Sequence, residues 1–126
     1  MIQINESSTM PIYQQVYNGL LNLIVLKVMP EHEKLPSVRE LALELRINPN
    51  TIQKTYKALD QDGFIYSKPG KGNFVKDYQE VKELYQKNLN RVLKEAIETW
   101  LNFGISSQEI QSAVGEILKE SSNVRD

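Results

Sequence analysis

A mainly α-helical chain with one small β-hairpin is the fold class predicted here, and three features of the sequence predict it. Apolar residues recur at helical spacing before Pro30 and again after Asp77. Between them, the run from Leu35 to Val75 holds a Ser-x-x-Glu capping box and, shortly after, an Asn-Pro helix start closed by Gly63. Two short aromatic or β-branched segments then flank Lys-Pro-Gly-Lys-Gly. Two capped helices, a tight turn and a glycine-tipped hairpin make an N-terminal winged helix-turn-helix, and the remainder reads as a C-terminal helical dimerisation hairpin. The expected division is 10–77 for the winged unit, 78–121 for the two-helix region and 122–126 for a flexible tail.

The first helix is expected from Pro11 to about Val28, with Ile12, Val16, Leu20, Leu23, Ile24 and Val28 on its buried stripe, Ser8 or Thr9 as cap and Pro30 as stop. A polar, proline-bounded connection follows. Ser37 and Glu40 open a second helix that ends near Leu45, and only Arg46 and Ile47 separate it from a third, capped by Asn48 with Pro49 at its first position. Phe64 to Ser67 and Asn73 to Lys76 should pair as the hairpin. One long amphipathic helix then runs from Tyr78 to Phe103 and is closed by Gly104; a second capping box, Ser106 with Glu109, opens the last helix, whose face is lined by Ile110, Ala113, Val114, Ile117 and Leu118.

Composition narrows the classes. At 126 residues the chain has room for one core plus an appendage, and without cysteine it has no disulfide framework, thiolate nucleophile or cysteine-ligated zinc. No leader-like or membrane-spanning run is present, so a cytoplasmic location is expected. The net charge of −1 conceals an asymmetry: from Arg46 to Asp77 six basic residues face three acidic ones, whereas from Tyr78 onward six face eight. The positive charge sits on the winged unit.

In the third helix Ile52, Thr55, Tyr56 and Leu59 fall on one side, and Asn50, Gln53, Lys54 and Lys57 on the other. A stripe of amides and ammonium groups suits the major groove of double-stranded DNA, where amides pair with adenine edges and lysine reaches guanine or phosphate. Asn50, Gln53 and Lys54 are the candidates for base readout, and Asn48 and Thr51 for phosphate at the helix N-terminus. The plain alternative is a solvated helix face. Arg39, in the first turn of the second helix, opposes the helix dipole, which suggests a phosphate nearby; pairing with Glu40 or Glu44 is the alternative. Gly70 and Gly72 allow close backbone approach at the hairpin tip, with Lys68 and Lys71 supplying charge for the minor groove, although any tight hairpin needs such glycines.

These residues resemble a known family. Pro11-Ile12-Tyr13-x-Gln15, Leu35-Pro36-Ser37-x-Arg39-x-Leu41-Ala42, Asn50-Thr51-Ile52, Leu59-x-x-x-Gly63 and Gly70-x-Gly72-x-Phe74-Val75 together resemble the winged-helix domain of GntR-type bacterial transcription regulators. The run Asn48-Pro49-Asn50-Thr51-Ile52-Gln53 with a short tail is similar to the YtrA-like branch. The resemblance implies a homodimeric repressor at a palindromic operator, often acting on its own operon and an ABC-type transporter, with DNA contacts at Arg39, Asn48, Asn50, Thr51, Gln53 and Gly70. Lys27 and His32 stand where many relatives have glycine, which bears on the shape of the first connecting loop. In other branches arginines occupy the positions of Pro49 and Gln53, so their base preference does not transfer.

The long helix exposes more apolar surface than the short one after it can cover. Leu84, Leu89, Val92, Leu93, Ile97, Trp100 and Leu101, with Ile110, Val114 and Ile117, are the candidate dimer contacts, worth roughly 25 cal/mol per Å² of apolar surface removed from water; folding back onto the winged unit is the alternative. Two heads held in a dimer would meet half-sites one helical turn or more apart. Tyr85, Trp100 and Phe103 are either core or the lining of a small pocket, and an unknown small-molecule effector would then bind between subunits or at the domain junction. An enzyme is disfavoured: His32 is the sole histidine, in a polar loop, and Gly70 and Gly72 lie between strands instead of ahead of a helix. No metal or other cofactor is expected. The remaining rival is a winged-helix module that binds protein, or acts as an accessory factor, without operator specificity; it would present apolar anchors where Asn50, Gln53, Lys54 and Lys57 stand.

Overall fold

The computed structural model describes residues 2–125. They form α1 (Ile12–Val25), α2 (Val38–Leu45), α3 (Pro49–Asp62), β1 (Ile65–Lys68), β2 (Gly72–Val75), α4 (Tyr78–Asn102) and α5 (Ser107–Arg125). Two compact units result, the first ending at Tyr85 and the second beginning at Gln86.

In the first unit Val16, Leu20 and Ile24 of α1 pack with Leu41 and Ala42 of α2 and Ile52, Tyr56 and Leu59 of α3. The ends of α1 differ from expectation. Ser8 Oγ accepts from the Met10 N–H at 3.1 Å instead of capping, and Pro11 stands at the cap without a side-chain bond. The helix stops before Val28 because Lys27 turns left-handed, at φ 61°, and the N–H groups of Lys27 and Met29 return to the carbonyls of Ile24 and Leu23. That turn leaves Val28 exposed and buries Met29 in its place. His32 takes the same unusual backbone, at φ 65°. Lys27 and His32 thus adopt the conformation that glycine tolerates best.

The capping chemistry of the next two helices follows the expectation. Ser37 and Glu40 form the reciprocal box, Arg46 ends α2 in the left-handed region, Asn48 caps α3 with Pro49 at its start, and Gly63 ends it at φ 93°. A Cβ added to Gly63 would meet Leu84 Cδ2 at 3.2 Å, so this glycine serves packing as well as backbone.

The hairpin pairs Ile65 with Val75 and Lys68 with Gly72, one residue nearer the tip than expected. Its turn is Lys68-Pro69-Gly70-Lys71, closed by Lys71 N–H to the Lys68 carbonyl at 2.9 Å, with Gly70 at φ 74° as the third residue of a type II turn requires. A third edge, absent from the sequence reading, joins β2: Lys34 bridges Phe74, while the N–H groups of His32 and Leu35 reach the Val75 and Asn73 carbonyls, both at 2.8 Å.

Two further parts belong to the first unit. The N-terminal segment is held by Gln15, whose side chain accepts from the Asn5 N–H and donates to the Asn5 and Met10 carbonyls; Ile2 and Ile4 pack on the core, and Ile2 occupies the space that a Cβ on Gly19 would need. The start of α4 joins as well, since Val81 is buried and Leu84 and Tyr85 pack against the core. The division therefore falls within α4 and not at residue 77.

In the second unit α4 ends at Asn102, Gly104 turns the chain at φ 94°, and Ser106 Oγ accepts from the Glu109 N–H at 3.1 Å, which is half of the expected box. Ile110 is buried, while Leu89, Val92, Leu93, Leu101, Val114, Ile117 and Leu118 remain exposed. The tail expected over 122–126 is drawn into α5 as far as Arg125, and Asp126 lies outside the described residues.

Candidate nucleic-acid interface

Helix α3 separates its faces sharply. Ile52, Thr55, Tyr56 and Leu59 are buried, whereas Asn50, Gln53, Lys54 and Lys57 are exposed. Thr55, fully buried, returns its hydroxyl to the Thr51 carbonyl at 2.9 Å, and the Tyr56 hydroxyl donates to the Pro36 carbonyl at 2.7 Å. That second bond ties the reading helix to the turn before α2. Burial pushes the Tyr56 hydroxyl above its ordinary pKa, so it stays a donor. No large apolar side chain of α3 is among the exposed ones described, so its outer face lacks the anchors a protein-binding surface would need.

The Asn48 side chain is exposed, and its Oδ1 accepts from the Asn50 N–H at 2.8 Å. Its amide NH₂ is left as the group available to an anion at the helix start. Thr51 is half-buried beside it. An open groove of about 690 Å³, lined in part by Ile2, Ile4, Ile12 and Ile47, reaches both Asn48 and Thr51. The N-terminal segment thus forms a wall beside the phosphate candidates, a neighbour that helical periodicity does not reveal.

Arg39 is exposed at the second position of α2 and makes no ion pair among the described residues. The alternative partner Glu40 is committed to the Ser37 N–H at 3.1 Å. Lys54 rests its ammonium 4.4 Å from the centroid of the Tyr13 ring, so α1 positions this candidate base reader by a cation–π contact.

On the wing, Tyr66 and Phe74 stack at 5.7 Å and Lys68 lies over them, 4.8 Å from the Phe74 centroid. Lys71 and Gly70 are exposed at the tip. The two glycines differ in what they require: nothing lies within 4 Å of a Cβ on Gly70, whereas a Cβ on Gly72 would stand 2.9 Å from Lys34 Cε. Both glycines are needed for their backbone angles, Gly72 at φ 117°, and at Gly72 a side chain would also meet the end of Lys34.

Leu84, expected at the dimer stripe, is instead spent on the core of the first unit. Tyr85 packs there too, while Trp100 and Phe103 are exposed in the second unit, so these aromatics do not share a core. His32 is more than a solvated loop residue, since its Nδ1 lies 2.9 Å from the Tyr66 hydroxyl. Glu31, His32 and Asp77 bring potential ligand atoms within 4.8 Å of one another, a cluster the sequence reading did not anticipate. All three are exposed and already engaged, Glu31 with the Tyr78 N–H and Asp77 with the Gln79 N–H. They fasten the end of the wing to the start of α4.

The arrangement offers a polar helix face, a cation at a neighbouring helix start and a basic hairpin tip. Comparison with known proteins agrees. Residues 12–75 match the family described as bacterial regulatory proteins, gntR family. The chain is 33% identical over 108 residues to the HTH-type transcriptional regulator YhcF of Bacillus subtilis, covering 85% of this chain and 89% of that protein. It is 42% identical over 77 residues to the HTH-type transcriptional repressor YtrA of the same organism, covering 61% of this chain and 59% of that one. A transcriptional regulator from Oenococcus oeni superposes with a TM-score of 0.76 at 33% identity over 94% of this chain and 99% of its own. AraR(DBD) in complex with operator ORE1 superposes at 0.52 with 27% identity, over 60% and 92%.

Proposed function

This chain belongs to the gntR family of bacterial regulatory proteins and is a DNA-binding transcription regulator, not an enzyme; from that premise we propose that it acts as a homodimeric repressor at a palindromic operator. The observation that carries the reading is the exposed amide-and-ammonium face of α3, with its opposite face fully committed to the core. Asn50, Gln53 and Lys54 read base edges; Lys57, Asn48, Thr51 and Arg39 meet phosphate; Lys68, Gly70, Lys71 and Gly72 carry the wing into the adjacent minor groove. Residues Leu89 to Leu101 of α4 and Val114 to Ile117 of α5 supply the apolar surface that a second copy covers.

Repression is the role that the relative YtrA of Bacillus subtilis carries, and the family resemblance favours a transporter operon as the regulon. A regulator that acts on a chromosomal operator works in the cytoplasm, which is the location proposed. The reading leaves room for a small-molecule effector held between subunits.

A gel-shift or anisotropy titration against the region upstream of the gene is the direct test. Specific binding is expected at about 10⁻⁸–10⁻¹¹ M at physiological salt. Gln53→Ala should lose about 1–3 kcal/mol of discrimination at one base pair, whereas Lys71→Ala should weaken all sequences alike and lower the salt slope by about 0.9. A folded dimer that ignores every duplex at low salt would end the proposal.

A further inference from the structure

Lys34 lies outside the sequence elements that point to DNA, in the polar connection before α2. The structure gives it a fixed place. Its backbone bridges Phe74 at the edge of the wing, flanked by Leu35 N–H to the Asn73 carbonyl at 2.8 Å and Val75 N–H to the Glu33 carbonyl at 2.9 Å. Its side chain then runs across Gly72, with Cε 2.9 Å and Nζ 3.8 Å from where a Cβ on that glycine would be. Gly72 itself stands at φ 117°, a backbone conformation that favours glycine.

The bonds from Ser37 chiefly hold the Glu40 carboxyl down, with a smaller contribution from the nearby Lys34 ammonium, and Lys34 and Glu40 line one depression. Glu40 is engaged with Ser37, and Lys34 makes no ion pair among the described residues. An exposed ammonium held in place by its backbone and stem, and unpaired by a carboxylate, is arranged for an external anion. The Lys34 backbone is joined to the wing strand at Phe74, and its ammonium lies near Glu40 in the first turn of α2, the helix that carries Arg39.

We propose that Lys34 is a further phosphate-binding residue, joining the contacts of the α2 start to those of the wing so that both follow one DNA backbone. The inference rests on the DNA-binding reading above. Its ligand is a backbone phosphate, so it contributes affinity and orientation without base preference.

The test uses the whole chain and its operator fragment, with log affinity followed against log salt. Lys34→Met keeps the apolar stem and removes the charge. It should lower the slope by about 0.9 and weaken specific and nonspecific duplexes alike, and Lys34→Arg should restore the slope. If the wild type binds its operator and Lys34→Met retains the full slope with an unchanged melting temperature, the inference is overturned and the DNA-binding reading stands. If the wild type binds no duplex, both fall.

Discussion

Glu40 accepts the Ser37 N–H at 3.1 Å while Ser37 Oγ accepts that of Glu40 at 3.0 Å. The bond from Ser37 holds the Glu40 carboxyl below its ordinary value of 4.5. A carboxyl depressed in the folded state contributes stability above its unfolded pKa and loses it as pH falls through the folded one. Urea midpoints of the wild type and Glu40→Gln should therefore differ at neutral pH and converge in acid below the ordinary value; a gap that stays constant down to that range would remove the box carboxylate as the titrating partner. This box was legible in the sequence because its partners are three residues apart and need no tertiary context. Lys27 and His32 were not. Left-handed backbone costs a non-glycine residue roughly 1–2 kcal/mol, and what offsets it comes from afar: the Lys27 ammonium lies 3.9 Å from the Tyr78 ring centroid, and the His32 N–H reaches the Val75 carbonyl.

Helix α3 depends on Asn48 in two separable ways. The side-chain oxygen caps the helix, and the amide NH₂ is the group proposed to meet phosphate. Aspartate caps about as well as asparagine but replaces that donor with a negative charge. Asn48→Asp should keep thermal stability within about 0.5 kcal/mol of the wild type while operator affinity falls, whereas Asn48→Ala should also lose about 0.5–2 kcal/mol of stability. Equal operator affinity for Asn48→Asp and the wild type would take Asn48 out of the interface. The faces of α3 were readable beforehand, since a 3.6-residue period sorts Gln53 from Ile52 without further information. The third edge of the wing was hidden, because Glu33 and Lys34 show no apolar alternation and their pairing with β2 is set by where α1 delivers the chain. The same gap concealed Lys34.

For the whole molecule, periodicity established that α4 has an apolar stripe but left open what covers each part. Leu84 and Tyr85 turn out to be covered within the first unit, whereas Leu89 is 49% exposed and Val92 and Leu93 are 55% exposed. Leu101 and Ile117 add to the uncovered surface. Exposed apolar side chains this numerous on one short helical hairpin mark an association surface. On the reading proposed above, a second copy is the occupant, since it would give the regulator two reading heads and, by symmetry, a palindromic target. Leu89 and Leu93 share one face, four residues apart. Since both are exposed in the single subunit, Leu89→Glu with Leu93→Glu should cost its fold little. Light scattering at micromolar concentration should report a dimer for the wild type and a monomer for the double variant, with circular dichroism showing the helices retained. The variant should bind a full operator no better than an isolated half-site. Were it to remain dimeric and bind as tightly as the wild type, the partner surface would lie elsewhere, and the exposed face of α4 would need a different occupant.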